Sequence, residues 1–253
     1  MEKVRYEEML PHEIVRRRKS FPAAFIGLGG LEWHGEHLAV GNDALKAEKL
    51  CELAAERSGG FAFPTLWYGE PRTVHMLEAD VDPDGKVKRK MRFKSKKFRG
   101  DFADKSPEEQ ASLYENLVYH LLCQMNQLEM KAICLVCGHY PLHSWASIAV
   151  DRFNASHVDS QAFAGIEFHY PPKTPRVGGD HAAHWETSYL WYLRPDCVDM
   201  SVYLNRQEEP LIGVVGEDPR HLASVERGRD ACKLIVTGMI KKAEKLIQRV
   251  DKE

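Results

Sequence analysis

Four short apolar runs, separated by longer segments with helical periodicity, constrain this chain more than any other feature. Ala23-Ala-Phe-Ile-Gly-Leu28, Phe61-Ala-Phe-Pro-Thr-Leu66, Lys131-Ala-Ile-Cys-Leu-Val-Cys137 and Gly165-Ile-Glu-Phe-His169 read as strands. Their alternation with helices predicts an α/β protein with a mostly parallel central sheet in a three-layer αβα arrangement. One helix is expected to open at Asn42-Asp43 and end near Gly59-Gly60, with Leu45, Leu50, Leu53 and Ala54 on its inner face. Ser106-Pro-Glu-Glu109 supplies an N-cap, a first-turn proline and an acidic start for a helix through about Leu128. Further helices are expected from about Ser144 to Phe153, from near His181, and from about Ser224 to Val250, while Pro11 interrupts the N-terminal segment. No repeat, linker or low-complexity tract divides the chain, so residues 1–253 are expected to form a single domain.

Charge excludes little but directs attention. Lys plus Arg number 35 and Asp plus Glu 37, a net charge of −2. This gives no global reason to expect a nucleic-acid or anionic-membrane partner. The near balance conceals a basic excursion within about 81–105, where nine Lys or Arg residues fall between Lys86 and Arg99. Asp84-Gly85 offers a hairpin turn before it. A solvated ribbon or subunit contact is one expectation for this segment, and a polyanion-binding arm, in a protein that is no enzyme, the other. No apolar run of about 18 residues and no signal peptide at Met1 are seen, which predicts a cytoplasmic protein without a membrane partner. The six cysteines, spread through apolar stretches, are expected to be free and buried. Cys134 and Cys137 lie three apart on one strand and should face opposite sides of the sheet.

The chemistry-bearing residues gather after strands. Gly29 to Asp43 follows the first strand and contains Glu32, His34 and His37 before Asp43 opens a helix. Gly138-His139-Tyr140 follows the third strand, and His181-Ala-Ala-His-Trp-Glu-Thr-Ser188 leads into another helix. In a parallel sheet such loops converge at the carboxyl ends of the strands, where ligand sites form. Carboxylates and imidazoles together there suit Zn, Mn or Fe, and a carboxylate can bridge two ions. His12, His120, His157 and His221 lack this setting and are expected to be surface or packing residues.

These segments give the sequence its resemblance to the creatininase family of metal-dependent amidohydrolases. The family's Glu-x-His-Gly-x-His-Leu with a following Asp is matched by Glu32, His34, Gly35, His37, Leu38 and Asp43. Its Gly-His is matched by Gly138-His139, and its His-Ala-Gly-x-x-Glu-Thr-Ser by His181, Ala182, Glu186, Thr187 and Ser188. A late Gly-Asp-Pro-Arg-x-Ala-Ser appears, with small insertions, as Gly216 to Ser224. The resemblance spans roughly residues 20 to 240 and implies a creatininase-like fold, a homo-oligomer, commonly a hexamer, and a site for two divalent ions. It implies Asp43 as the bridging ligand, Glu32 and His139 completing one set, His34 and Glu186 the other, and His181 as the catalytic histidine. His37 would lie just outside the ligands, orienting one of them or the metal-bound water.

Departures from the pattern point to a rebuilt pocket. Where creatininase has Asn-Gly-His-Tyr-Glu-Asn, this chain has Cys137-Gly-His-Tyr-Pro-Leu142, so Tyr140 agrees but Pro141 replaces an additional carboxylate ligand. Ala183 replaces a glycine, and Ala39 a common proline. Tyr140, Trp145 and Trp185 are candidates to contact substrate, Trp33 to wall the pocket, and His75, His143 and His184 lie near it. Arg220 is expected to anchor the last helix or a neighbouring subunit. The activity implied is hydrolysis of a cyclic or compact amide C–N bond in a small-molecule substrate. The alternative is carbon–carbon cleavage in a cyclic diketone derived from a polyol of the dehydro-inosose type.

Overall fold

A computed structural model describes residues 2–71, 84–94 and 105–252. Four strands, β1 (Ala23–Leu28), β2 (Phe61–Leu66), β3 (Ala132–Cys137) and β4 (Gln161–Gly165), form an all-parallel sheet in the order β2-β1-β3-β4. The chain moves from β1 to β2 on one side and then to β3 on the other. A switch point therefore opens between β1 and β3, where parallel sheets bind ligands. Register brings Leu28 level with both Cys137 and Leu66, so the loops leaving three strands emerge side by side.

Side chains of the central strands divide by the two-residue period of a strand. Ala24, Ile26, Leu28, Ile133, Leu135 and Cys137 enter one core; Ala23, Phe25, Ala132, Cys134 and Val136 enter the other, all fully buried. Helices α4 (Pro107–Gln127) and α5 (Leu142–Asn154) cover the first face through Tyr114, Val118, Leu122, Ala146 and Phe153. Helices α2 (Asn42–Ser58) and α7 (Val225–Val250) cover the second through Leu50, Ala54, Ile235 and Met239. These are the three expected layers, and each large apolar side chain buried in them contributes roughly 1.5–3 kcal/mol. Cys134 and Cys137 do fall on opposite faces. All six cysteines are free, four buried and Cys123 and Cys197 only half-buried, and burial drives the Cys134 thiol up to about 12.

Several boundaries differ from expectation. Pro11 starts a helix, α1 (Pro11–Ser20), because its missing N–H is not needed in a first turn. β4 lies four residues before the predicted run: Gln161 to Gly165 pair with Ala132 to Val136, while Glu167–His169 form a 3-10 turn. Glu167, in that turn, meets the buried Lys46 at 2.8 Å. Asp84-Gly85 opens no hairpin; Gly85, at φ 65°, precedes a short helix, α3 (Lys86–Lys90), whose Val87 is buried. Positions 81–83 and 95–104 of the basic excursion, and His75, lie outside the described residues. Helix α6 (His184–Leu193) begins three residues after His181. Among the described residues no helix is long and apolar enough to cross a membrane.

Candidate metal centre

The loop after β1 and the start of α2 bring most of the polar groups together. Gly138, next in chain to His139, packs directly on the first turn of α2, since a Cβ there would lie 2.1 Å from the Asp43 carbonyl oxygen. This contact sets His139 against Asp43: His139 Nδ1 is 2.9 Å from Asp43 Oδ2 and 3.0 Å from Glu32 Oε2. On the other oxygen of the same carboxylate, His34 Nε2 is 2.9 Å from Asp43 Oδ1 and 3.5 Å from Glu186 Oε2. Glu32, Asp43 and His139 thus form one cluster able to hold an ion, and His34, Asp43 and Glu186 a second, with Asp43 in both. Glu32, His34 and His181 form a third close group. All the residues of the first two clusters are buried.

Their electrostatics are those of carboxylates and imidazoles buried together. Burial opposes the charged form of His34, but Asp43 and Glu186 outweigh it and lift its pKa to about 9. His139 is raised well above the usual histidine range, its burial overcome by Asp43, Glu32 and Glu70. Asp43 is held well below the carboxylate range, its burial outweighed by His34 and His139. His34 Nδ1 lies 3.1 Å from the Glu32 carbonyl oxygen, which only accepts, so in the neutral ring Nε2 carries the lone pair that faces the two carboxylates. Imidazole nitrogens opposed by carboxylate oxygens are a donor arrangement that Zn, Mn or Fe accepts.

His181 stands at the edge of these clusters, half-buried, with Nε2 2.9 Å from the Trp33 carbonyl oxygen and Nδ1 3.9 Å from Glu32 Oε2. Since the carbonyl only accepts, Nε2 carries the proton and the Nδ1 lone pair faces the site. Ala182, next in chain, sits at φ 55°, an uncommon conformation for a residue with a Cβ. Glu186 Oε2 accepts its N–H at 2.8 Å, while the Asp180 carboxylate accepts the N–H groups of Trp185 and Glu186 at the start of α6. His37 does not reach a candidate ligand. Its Nε2 is 2.8 Å from Thr187 Oγ1 and its Nδ1 3.1 Å from Tyr203 Oη, which fastens the first loop to α6. Burial and the nearby His34 outweigh the carboxylates of Asp218 and Glu36 and lower its pKa to about 4.

A buried ion network that the sequence reading overlooked lies behind Glu186. Lys46, fully buried on α2, places Nζ 2.6 Å from Glu186 Oε1 and 2.8 Å from Glu167 Oε1. The Tyr140 hydroxyl donates to the same Glu167 oxygen at 2.8 Å, and Lys46 Nζ lies 4.8 Å from the centre of the Tyr140 ring. The available signal was a lysine one helical turn after Asp43, on a face otherwise apolar. Glu70, 2.6 Å from His139 Nε2, was likewise not foreseen.

The tryptophans have packing partners. Trp33 is 7% exposed and donates Nε1–H to the Ile212 carbonyl, while Trp185 stacks near Tyr189 with the Arg227 guanidinium 5.4 Å from its ring. Trp145 is half-buried edge-on to Tyr114. His184 lies near Asp180 and Glu217, His143 against His169, and Arg220 pairs with Asp218 and donates to the Arg206 and Glu209 carbonyls. His12, His120 and His221 are exposed, and His157 stacks on Phe153. Pro141 is exposed just before α5.

Comparison with known proteins gives the family and the fold. A family model described as creatininase, creatinine amidohydrolase, matches residues 7–78 and 108–243. No curated protein matches the sequence. Among solved structures, creatinine amidohydrolase (creatininase) aligns at a TM-score of 0.69 with 19% identity, covering 99% of each chain. A structure described as creatininase Mn aligns at 0.69 with 19% identity over 96% of this chain and 98% of that one. A putative creatinine amidohydrolase from Bacteroides fragilis NCTC 9343 aligns at 0.61 with 17% identity, over 100% of this chain and 98% of that one.

Proposed function

The chain belongs to the creatininase family, and from that premise we propose that it is a divalent-metal-dependent hydrolase acting on a cyclic or compact amide C–N bond. The observation that carries this is Asp43, whose two oxygens each lie 2.9 Å from a different imidazole nitrogen, His34 Nε2 and His139 Nδ1, and each of those nitrogens also faces a second carboxylate. Glu32, Asp43 and His139 would hold one ion, and His34, Asp43 and Glu186 the other. Related structures described as creatininase Mn and as a Zn-Zn creatininase support Mn or Zn there, and the mixed donor set also admits Fe. When bound, such ions acidify water and polarise a carbonyl oxygen.

The chain's own groups do the rest. Glu32, Asp43 and Glu186 supply the negative charge that favours cations, and their burial keeps bulk water from competing. Trp33 holds the His181 proton on Nε2, which leaves Nδ1 to take a proton near Glu32 and return it to the departing nitrogen. Lys46 engages Glu186 Oε1, so Oε2 alone remains for an ion. Tyr140, fixed by Glu167, and Trp145 and Trp185 are the candidate substrate contacts. We place the enzyme in the cytoplasm as a homo-oligomer, hexameric by family resemblance. Leu113 on α4, 63% exposed, and Tyr68, 71% exposed, are apolar surface that association would cover.

The test is turnover of metal-loaded protein on creatinine, small lactams, formamides and dehydro-inososes, with Asp43→Asn as control. Release of amine or carboxylate from an amide, lost in the variant, is expected. Ring opening of the diketone without amine release selects carbon–carbon cleavage instead.

A further inference from the structure

The loop after β2 brings a carboxylate to the centre that no motif marks. Glu70 Oε1 lies 2.6 Å from His139 Nε2, and its side chain is only 10% exposed. The opposite nitrogen of that ring, Nδ1, is the one facing Asp43 and Glu32. A neutral imidazole has one N–H, and the nitrogen without it offers the lone pair that binds a metal. Both nitrogens face carboxylates, so once an ion takes the Nδ1 position beside Asp43 and Glu32, the remaining proton would stay on Nε2, where Glu70 accepts it. Glu70 cannot share the ion directly from this position, because the ring stands between. The first loop leaves space for it: a Cβ on Gly30 would lie 2.9 Å from Glu70 Oε2. His139 is thereby clamped between groups from the ends of three neighbouring strands, β1, β2 and β3.

We propose that Glu70 is the positioning residue of the metal centre, selecting the tautomer and ring orientation in which His139 Nδ1 is the ligand atom. It rests on the metal-dependent reading above and deepens it. Partners of this kind raise the basicity of the ligating nitrogen, and their loss weakens metal binding by about 10- to 100-fold. The effect should fall on the ion held with Glu32 and Asp43 and spare the one held with His34 and Glu186.

The experiment is competition of apo protein with a chromophoric chelator for Zn2+, resolved into the two sites, on wild type, Glu70→Ala and Glu70→Gln. It is paired with nitrogen-15 histidine NMR of the zinc-loaded wild type. Expected is an affinity loss of about 10- to 100-fold at one site only in Glu70→Ala, with most of it recovered in Glu70→Gln, which keeps an acceptor oxygen. The NMR spectrum should show His139 protonated on Nε2 and zinc-shifted at Nδ1. Unchanged affinity at both sites in Glu70→Ala, or zinc on Nε2, overturns the proposal. So does an equal loss at both sites that follows a lower unfolding temperature of the apo variant, the signature of a merely structural residue. Wild type that binds no zinc at all refutes instead the hydrolase function on which the proposal stands.

Discussion

Replacing Gly138 by alanine should disconnect the sheet from the metal centre. Gly138 follows the last residue of β3, donates its N–H to the Leu28 carbonyl at 2.8 Å, and precedes His139. A Cβ there would lie 2.1 Å from the Asp43 carbonyl oxygen, 2.9 Å from its carbon and 3.1 Å from Ala47 Cβ. Favourable contacts begin near 3.5 Å, so α2 and the loop after β3 must part by about 1 Å. Both sides of the clash are backbone, one in a helix and one at the end of a buried strand, and no side-chain rotation relieves it. The separation is applied across the 2.9 Å approach of His139 to Asp43. Overpacking of this kind costs about 1–3 kcal/mol, a fall in Tm of roughly 2–12 °C for a chain of this size. A 1 Å misplacement in a reacting site costs about 100-fold in rate. Thermal unfolding with and without Zn2+, chelator competition and kcat/KM measure the three effects, and the metal-induced rise in Tm should shrink. A Gly138→Ala variant that folds and keeps wild-type zinc affinity and turnover refutes the claim that this contact sets the site's geometry.

Other predictions follow from the buried charges. Lys46→Met leaves Glu186 and Glu167 facing each other unpaired and should cost about 3–5 kcal/mol in denaturant unfolding; adding Glu167→Gln should recover part of it, and simple additivity of the two changes would contradict the ion network. In metal-free protein the His34 pKa is raised from 6.5 to about 9. The stability it contributes is therefore complete below pH 6.5 and lost as pH rises through 9. Zinc must displace that proton, so apparent affinity should climb with pH up to about 9, with proton release measured by calorimetry in buffers of different ionisation enthalpy; a flat profile contradicts this. His181→Ala should keep full metal content while losing about 100- to 10,000-fold in kcat, and loss of metal would instead make it a ligand.

The sheet and the convergence of the site were legible because both rest on periodic or local signals. Ala23–Leu28 and Ala132–Cys137 are apolar at every position, as a strand covered on both faces must be, and loops after parallel strands share one edge. Glu32, His34, Asp43, His139, His181 and Glu186 carried both motif spacing and resemblance. β4 was misplaced by four residues because Gly165-Ile-Glu-Phe alternates like a strand, whereas the register with β3 decides for Gln161–Gly165. Lys46, Glu167 and Glu70 escaped for a different reason. Each acts through a partner far away in sequence, and a lone charge in a helix or loop looks like solvated surface until the fold brings its counterpart within 3 Å.

Metal stoichiometry distinguishes a centre bridged by Asp43 from any other arrangement of these residues. Wild type loaded with Zn2+ or Mn2+, dialysed and measured by plasma mass spectrometry should retain two ions per chain, as a bridged pair requires. Asp43→Ala, which removes the carboxylate common to both clusters, should retain neither while the fold, followed by circular dichroism, persists. Two ions retained by the folded Asp43→Ala variant, or none by wild type, would contradict the account.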